Sequence, residues 1–286
     1  MRSLWMLVAG FMFAGMGVFV KLGASYFTSI ELVFYRSLLG VFVTYLAIRH
    51  YDLALTTMHW KVHCWRGLAG LSGMLLLFYC ITQLPLATAI SLNYTWPLFL
   101  ALFSTLILKE QLHWSLIAAI TLGFLGVILL LQPTLQADHW LTGLVGLASG
   151  FFAAIAYIKV KQLSNLGESN WCIVFYFTLI CALVTGTWLL LTRFSPVTLH
   201  SMLLLLGMGA TATLGQLALT QAYRTGKILV VGALGYSTVL FASLLGMLIW
   251  NEILPLLAWS GMGLIVLGGF LSGYLSHRIV SVAGRG

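Results

Sequence analysis

The sequence predicts an all-α membrane protein of ten transmembrane helices, laid out as two inverted five-helix repeats around a central cavity. Three observations predict it. Hydrophobic residues make up 61% of the chain, charged residues only 7%, and mean hydropathy is +1.03, whereas a soluble domain carries roughly a quarter charged residues. The apolar residues fall into runs of about the 20 residues needed to cross a bilayer. The first half of the chain also recurs in the second at an offset of about 141 residues.

Residues 3–22 form the first span. Arg2 before an apolar run and a weak small-residue site at Leu22-Gly23-Ala24 would also suit a signal peptide, but the run recurs later in the chain and is therefore read as part of the fold. Further spans follow at 29–48, 65–83, 86–108, 114–131, 140–161, 170–191, 199–222, 228–250 and 256–276. Connections are short, the longest and most polar running from Arg49 to Cys64. Lysine and arginine placement orients the bundle. With the N-terminus in the cytoplasm, the inner side receives Arg2, Arg49, Lys61, Arg66, Lys109, Lys159, Lys161, Arg224, Lys227, Arg278 and Arg285. The outer side receives only Lys21 and Arg193, with Arg36 inside the second span. Both termini are therefore expected inside. Trp5, Trp60, Trp65, Trp114, Trp140, Trp188, Trp250 and Trp259 lie near span ends, where aromatic belts form. The formal charge of +8 is scattered singly and makes no nucleic-acid stripe.

The halves, residues 1–135 and 136–286, match in short stretches. Gly10-Phe11-Met12-Phe13-Ala14 returns as Gly150-Phe151-Phe152-Ala153-Ala154, and Val33-Phe34-Tyr35 returns as Val174-Phe175-Tyr176. Tyr94 to Pro97 aligns with Tyr236 to Val239, Glu110 with Glu252, and Gly126 with Gly268. An odd number of spans per half inverts the second copy, and inverted repeats meeting at a midplane cavity are a carrier architecture.

Asn93-Tyr94-Thr95-Trp96-Pro97 lies near the middle of the fourth span. Proline removes a donor and frees carbonyls near Asn93. Asn93, Trp96 and Pro97 share one helical face, and Trp96, too deep for the interface, is expected to wall a cavity. The alternative is a packed proline kink with Asn93 bonded to a backbone carbonyl. On the eighth span Thr213, Gln216 and Thr220 share a face, and Tyr236 is the repeat partner of Tyr94. Gln83 and Tyr157, both near span ends, are further candidates. The expected substrate-binding set is Tyr79, Asn93, Trp96, Pro97, Gln216 and Tyr236. A pocket of rings and amides without buried charge suits a zwitterion or an amphipathic solute; the alternative for Gln216 and the threonines is hydrogen bonding between helices.

Lys21, Glu31 and Arg36 stand near the outer ends of the first two spans, where they form either a gate whose ion pairs break on opening or a static clamp with Glu31 paired to Arg36 or Lys21. Glu110 and Glu252 are expected to cap the helices that follow them, with proton coupling as the second reading. No other carboxylate lies deep in a span, which favours facilitated or exchange transport. Gly67, Gly70 and Gly73 thin one face of the third span for close helix contact. Gly123, Gly126, Gly261, Gly268 and Gly269 read the same way, with a homodimer contact as a further use. Cys64, Cys80, Cys172 and Cys181 form no CxxC pair and read as core residues. His59 and His63 have no acid or cysteine nearby to complete a metal site, so neither metal nor cofactor is expected. The Asn93-Tyr94-Thr95 sequon lies mid-span, out of reach of glycosylation. No phosphate-binding glycine loop or paired nucleophile is present, so no enzyme is expected.

Several of these stretches together resemble the drug/metabolite transporter superfamily, and within it the EamA-type ten-helix exporters. They are Phe13-Ala14 with Lys21 ending the first span, Glu31 to Arg36 opening the second, the Pro97 span closed by Lys109-Glu110-Gln111-Leu112, and the ninth span closed by Asn251-Glu252-Ile253-Leu254. The resemblance covers both halves. It implies a pseudosymmetric bundle with a cavity lined mainly by helices 1, 3, 4, 6, 8 and 9, and transport of small metabolites, commonly amino acids. The first half departs from its copy at Glu31 and Arg36, whose counterparts near Cys172 and Phe177 are uncharged.

The expected function is a secondary carrier in a bacterial inner membrane, exporting an amino acid, aromatic or large and apolar, by alternating access. A nucleobase, nucleoside, vitamin or lipid-linked solute would stack on the same rings, and a non-transport assembly subunit is the competing class.

Overall fold

The computed structural model describes residues 4–108, 121, 122, 125, 126, 129, 139–192, 194–226, 228–252, 255–264, 266–268 and 271. Among the described residues there is no strand, and six helices are long and apolar enough to cross a membrane. These are α1 (Trp5–Gly23), α2 (Ser29–His50), α3 (Trp60–Gln83), α6 (Trp140–Asn165), α7 (Asn170–Leu190) and α8 (Leu199–Thr225). Two interrupted pairs follow the third and the sixth of them, α4 (Leu86–Asn93) with α5 (Trp96–Leu108), and α9 (Ile228–Gly235) with α10 (Ser237–Trp250). The span expected at 114–131 falls almost wholly outside the described residues, as do Lys109, Glu110, Gly123 and Gly269.

Local chemistry sets the helix ends. Thr28 accepts from the Glu31 backbone N–H while the Glu31 carboxylate accepts from the Thr28 N–H, a reciprocal cap that starts α2. Thr198 and Ser201 do the same for α8, and Ser169 caps α7 through the Cys172 N–H at 3.1 Å. Asn251 ends α10 in the left-handed region at φ 49°, which asparagine tolerates better than most residues.

The α4–α5 break falls where the sequence places its proline. Pro97 is the second residue of α5, where a missing N–H costs nothing. Before it the chain turns through Tyr94 and Thr95, and the Thr95 hydroxyl donates to the Leu92 carbonyl at 2.7 Å. The second break, at Tyr236, has no proline. Each break is met by a glycine of another helix. A Cβ added to Gly150 on α6 would stand 2.8 Å from the Asn93 carbonyl oxygen, and one added to Gly10 on α1 would stand 2.8 Å from the Ser237 hydroxyl.

Packing crosses the chain rather than following it. The most extensive helix contacts are α3 with α6, α1 with α8, and α2 with α7. Small residues allow this: a Cβ on Gly73 of α3 would meet the Ser149 carbonyl and Ala153 nitrogen of α6 at 3.1 and 3.2 Å, and Gly215 of α8 lies under the Phe13 ring of α1. The four cysteines are free thiols, with Cys80, Cys172 and Cys181 buried.

Candidate functional site

A cavity of about 60 Å³ lies among these crossings. Arg66, Gly70, Gly73, Met74 and Leu77 line it from α3, Ile90 and Asn93 from α4, and Tyr94 from the break. Phe13 and Met16 come from α1, Ala153, Ala156 and Tyr157 from α6, Arg36 from α2, Phe177 from α7 and Gln216 from α8. The lining thus takes in α2 and α7, which the resemblance does not imply, and no described residue of the ninth span. Its present volume is well below the roughly 300 Å³ at which pockets begin to enclose an organic ligand, so a metabolite requires the helices to separate.

Two arginines dominate the chemistry. Arg36 and Arg66 are each only 2% exposed. Arg66 donates to the Gln216 side-chain oxygen at 3.3 Å and its guanidinium lies 3.9 Å from the centre of the Phe177 ring, while Arg36 stands 5.6 Å from the same ring and donates to the Met74 sulfur. Neither has a carboxylate partner among the described residues, and the Nε of each lacks a hydrogen-bond acceptor. The pocket expected to hold no buried charge therefore holds two. The reason is geometric. Arg36 sits two turns into α2, and α3 begins at Trp60 rather than at 65, which carries Arg66 about 9 Å inside the helix at 1.5 Å per residue.

The substrate-binding residues expected from sequence are divided by the fold. Asn93 and Gln216 reach the cavity together, with Asn93 donating to the Ser149 hydroxyl at 3.0 Å. Trp96 is fully buried one layer behind it, edge-on to Tyr157 at 4.7 Å between centroids. Pro97 packs toward Gly232 of α9, where an added Cβ would be 3.6 Å from its ring. Tyr236 is buried at the second break without a partner for its hydroxyl and does not line the cavity, although its repeat partner Tyr94 does. Tyr79 is 44% exposed; it lies two residues beyond Leu77, roughly 200° around α3 from the cavity face. Tyr157, weighed as interfacial, is a cavity wall.

The three charges expected to act together do not meet. Lys21 pairs with Glu252, which also accepts from the Leu86 N–H with both oxygens at 3.1 Å, and Lys21 lies 4.8 Å from the centre of the Trp250 ring. Glu252 thus caps α4, whose N-cap Pro85 has no side chain to offer, and not the helix that follows it in sequence. Glu31 accepts from the Ser195 N–H at 2.6 Å and from the Ser195 hydroxyl at 3.1 Å. Arg36 turns inward to the cavity. Arg66 is the functional candidate that sequence reasoning missed; the glycine spacing after it, Gly70 and Gly73, was the available signal, because those glycines mark the face it shares.

Long apolar helices crossing around a central cavity, with two shorter helix pairs interrupted mid-span, define a polytopic membrane protein. The chain belongs to the EamA-like transporter family, whose model matches residues 2–132 and again residues 140–274. It is 32% identical over 263 residues to the Pseudopaline exporter CntI of Pseudomonas aeruginosa (strain UCBPP-PA14), covering 91% of each chain. It is 27% identical over 274 residues to the Riboflavin transporter of Vibrio cholerae, covering 93% of this chain and 90% of that one. A solved crystal structure superposes with a TM-score of 0.74 at 17% identity, over 98% of this chain and 99% of the other, which establishes a shared fold.

Proposed function

We propose that this protein is a secondary carrier that exports a small organic metabolite across a bacterial inner membrane, its halves 1–135 and 136–286 rocking about the central cavity. The observation that carries this is the crossed pairing: α1 packs on α8, α3 on α6 and α2 on α7, while Gly10 and Gly150, matched between the halves, each abut the broken helix of the opposite half. Such reciprocity supports ten spans in two inverted repeats, with both termini inside by the lysine and arginine count. In that orientation the Lys21, Glu252 and Leu86 cluster closes the outer end.

The expected substrate is an amino acid or related compound with at least one carboxylate facing the buried arginines and a side chain among Phe13, Tyr157 and Phe177. Export as the direction is supported by the similarity to a protein named as an exporter. The test is counterflow of labelled phenylalanine into proteoliposomes. Flux that saturates, and that falls in Asn93→Ala and Gln216→Ala proteins of unchanged melting temperature, supports the carrier and its cavity. Flux equal to that of empty liposomes with every metabolite class tried refutes the carrier.

A further inference from the structure

We propose that the cavity selects a solute with two ionised acidic groups on a compact apolar or aromatic body; this rests on the carrier function proposed above. A cavity that holds two guanidinium groups and, among the described residues, no carboxylate carries two positive charges when both are ionised, and arginine remains ionised in proteins. Every described carboxylate is committed elsewhere or exposed. Glu31 is taken by Thr28 and Ser195, Glu168 by Thr57, Glu252 by Lys21 and Leu86, and Asp52 lies on the surface.

The neutral groups nearby do not balance two charges. Phe177 offers one ring face region to both cations, Gln216 accepts from Arg66 through a single bond of 3.3 Å, and the Met74 sulfur that faces Arg36 is a weak acceptor. Both Nε–H groups are without an acceptor although buried. An isolated buried charge is strongly disfavoured unless paired. A monocarboxylate would neutralise one guanidinium and leave the other; two acidic groups satisfy both, each through the fork geometry that arginine offers to carboxylate. Apolar lining residues, among them Met16, Leu77, Ile90 and Ala153, face the carbon skeleton once the helices separate.

The experiment measures dissociation constants by calorimetry on the purified full-length protein in nanodiscs, using four probes that share a phenyl ring: phenylsuccinate (two carboxylates), phenylacetate (one), phenylalanine (zwitterion) and phenethylamine (cation). Phenylsuccinate is expected to bind about tenfold or more tightly than each of the others. Arg36→Gln and Arg66→Gln should each erase its advantage over phenylacetate, while the lysine variants retain part of it. The ranking in the unmodified protein needs no variant, so a misfolded substitution does not blunt the test. Phenylalanine or phenylacetate binding as tightly as phenylsuccinate overturns the proposal, as does a full response to sodium sulfate in place of the organic dianion, or no response to phenylsuccinate. If phenylalanine still shows saturable counterflow while phenylsuccinate neither binds nor moves, the carrier stands and the two-acid selectivity falls. If no probe binds, the two-acid selectivity falls, and the carrier falls with it when no metabolite class gives flux above that of empty liposomes.

Discussion

Gly150 on α6 lies directly against the main chain at Asn93: an added Cβ would stand 2.8 Å from the Asn93 carbonyl oxygen and 2.5 Å from the Thr95 hydroxyl. The carbonyls near Asn93 that the proline was expected to free thus face a neighbouring helix, not the cavity. Backbone atoms cannot swing away as a side-chain tip can. Gly150→Ala should therefore force α6 and the broken helix apart, costing about 1–3 kcal/mol, and Gly150→Val should cost more. Gly263, with nothing within 4 Å of an added Cβ, is the control: Gly263→Ala should leave the melting temperature unchanged or slightly raised. Tryptophan fluorescence melts of the three proteins check the order.

Trp96 fills the space between Tyr157, Tyr94 and α9, where a Cβ on Gly235 would already be 3.1 Å from its ring. Trp96→Ala should lower stability by about 3–5 kcal/mol, as for other large-to-small core substitutions, and reduce solute binding through the loss of support behind Tyr157. Trp96→Phe should recover most of the stability. A Trp96→Ala protein that melts with the unmodified one but no longer binds solute would place the indole in direct contact with substrate.

Lys21 and Glu252 join α1, α4 and the end of α10 through one carboxylate. A double-mutant cycle on Lys21→Ala and Glu252→Ala should give a coupling energy of about 0.5–3 kcal/mol in thermal unfolding. Because the pair is partly exposed, with side chains 21% and 11% accessible, raising salt should shrink the coupling. If the cluster closes one end of the carrier, Glu252→Gln should also speed exchange, measured as counterflow rate at saturating solute.

Glu31 is separate from that closure. Its carboxylate serves Thr28 and the Ser195 N–H, so Glu31→Ala should cost about 1–3 kcal/mol by leaving those donors without a charged acceptor. Solute affinity should be unchanged, since Glu31 does not line the cavity. A change in affinity or exchange rate without a change in melting temperature would restore the gating role that its charge suggests in sequence.

The sequence by itself determined the all-helical membrane class and the interruption beside Pro97, and it set Asn93 and Gln216 among the candidates that the cavity takes in. Each of these follows from local physics: apolar length against bilayer thickness, a missing backbone donor, and the cost of amides at depth. What the tertiary structure decided was which charges share a space. Counting apolar residues starts the third helix at 65 and leaves Arg66 at its end, but helices are set by backbone hydrogen bonds, and α3 runs from Trp60, drawing His63 and Arg66 inside. Azimuth was equally invisible, since Tyr79 and Leu77 are neighbours in sequence and lie on opposite faces of α3. The partner of Glu252 lies 231 residues away at Lys21. Arg36 and Arg66 became one site only because α2, α3 and α7 bring them to the same Phe177 ring, a relation that depends on helix rotation and crossing and on no spacing along the chain.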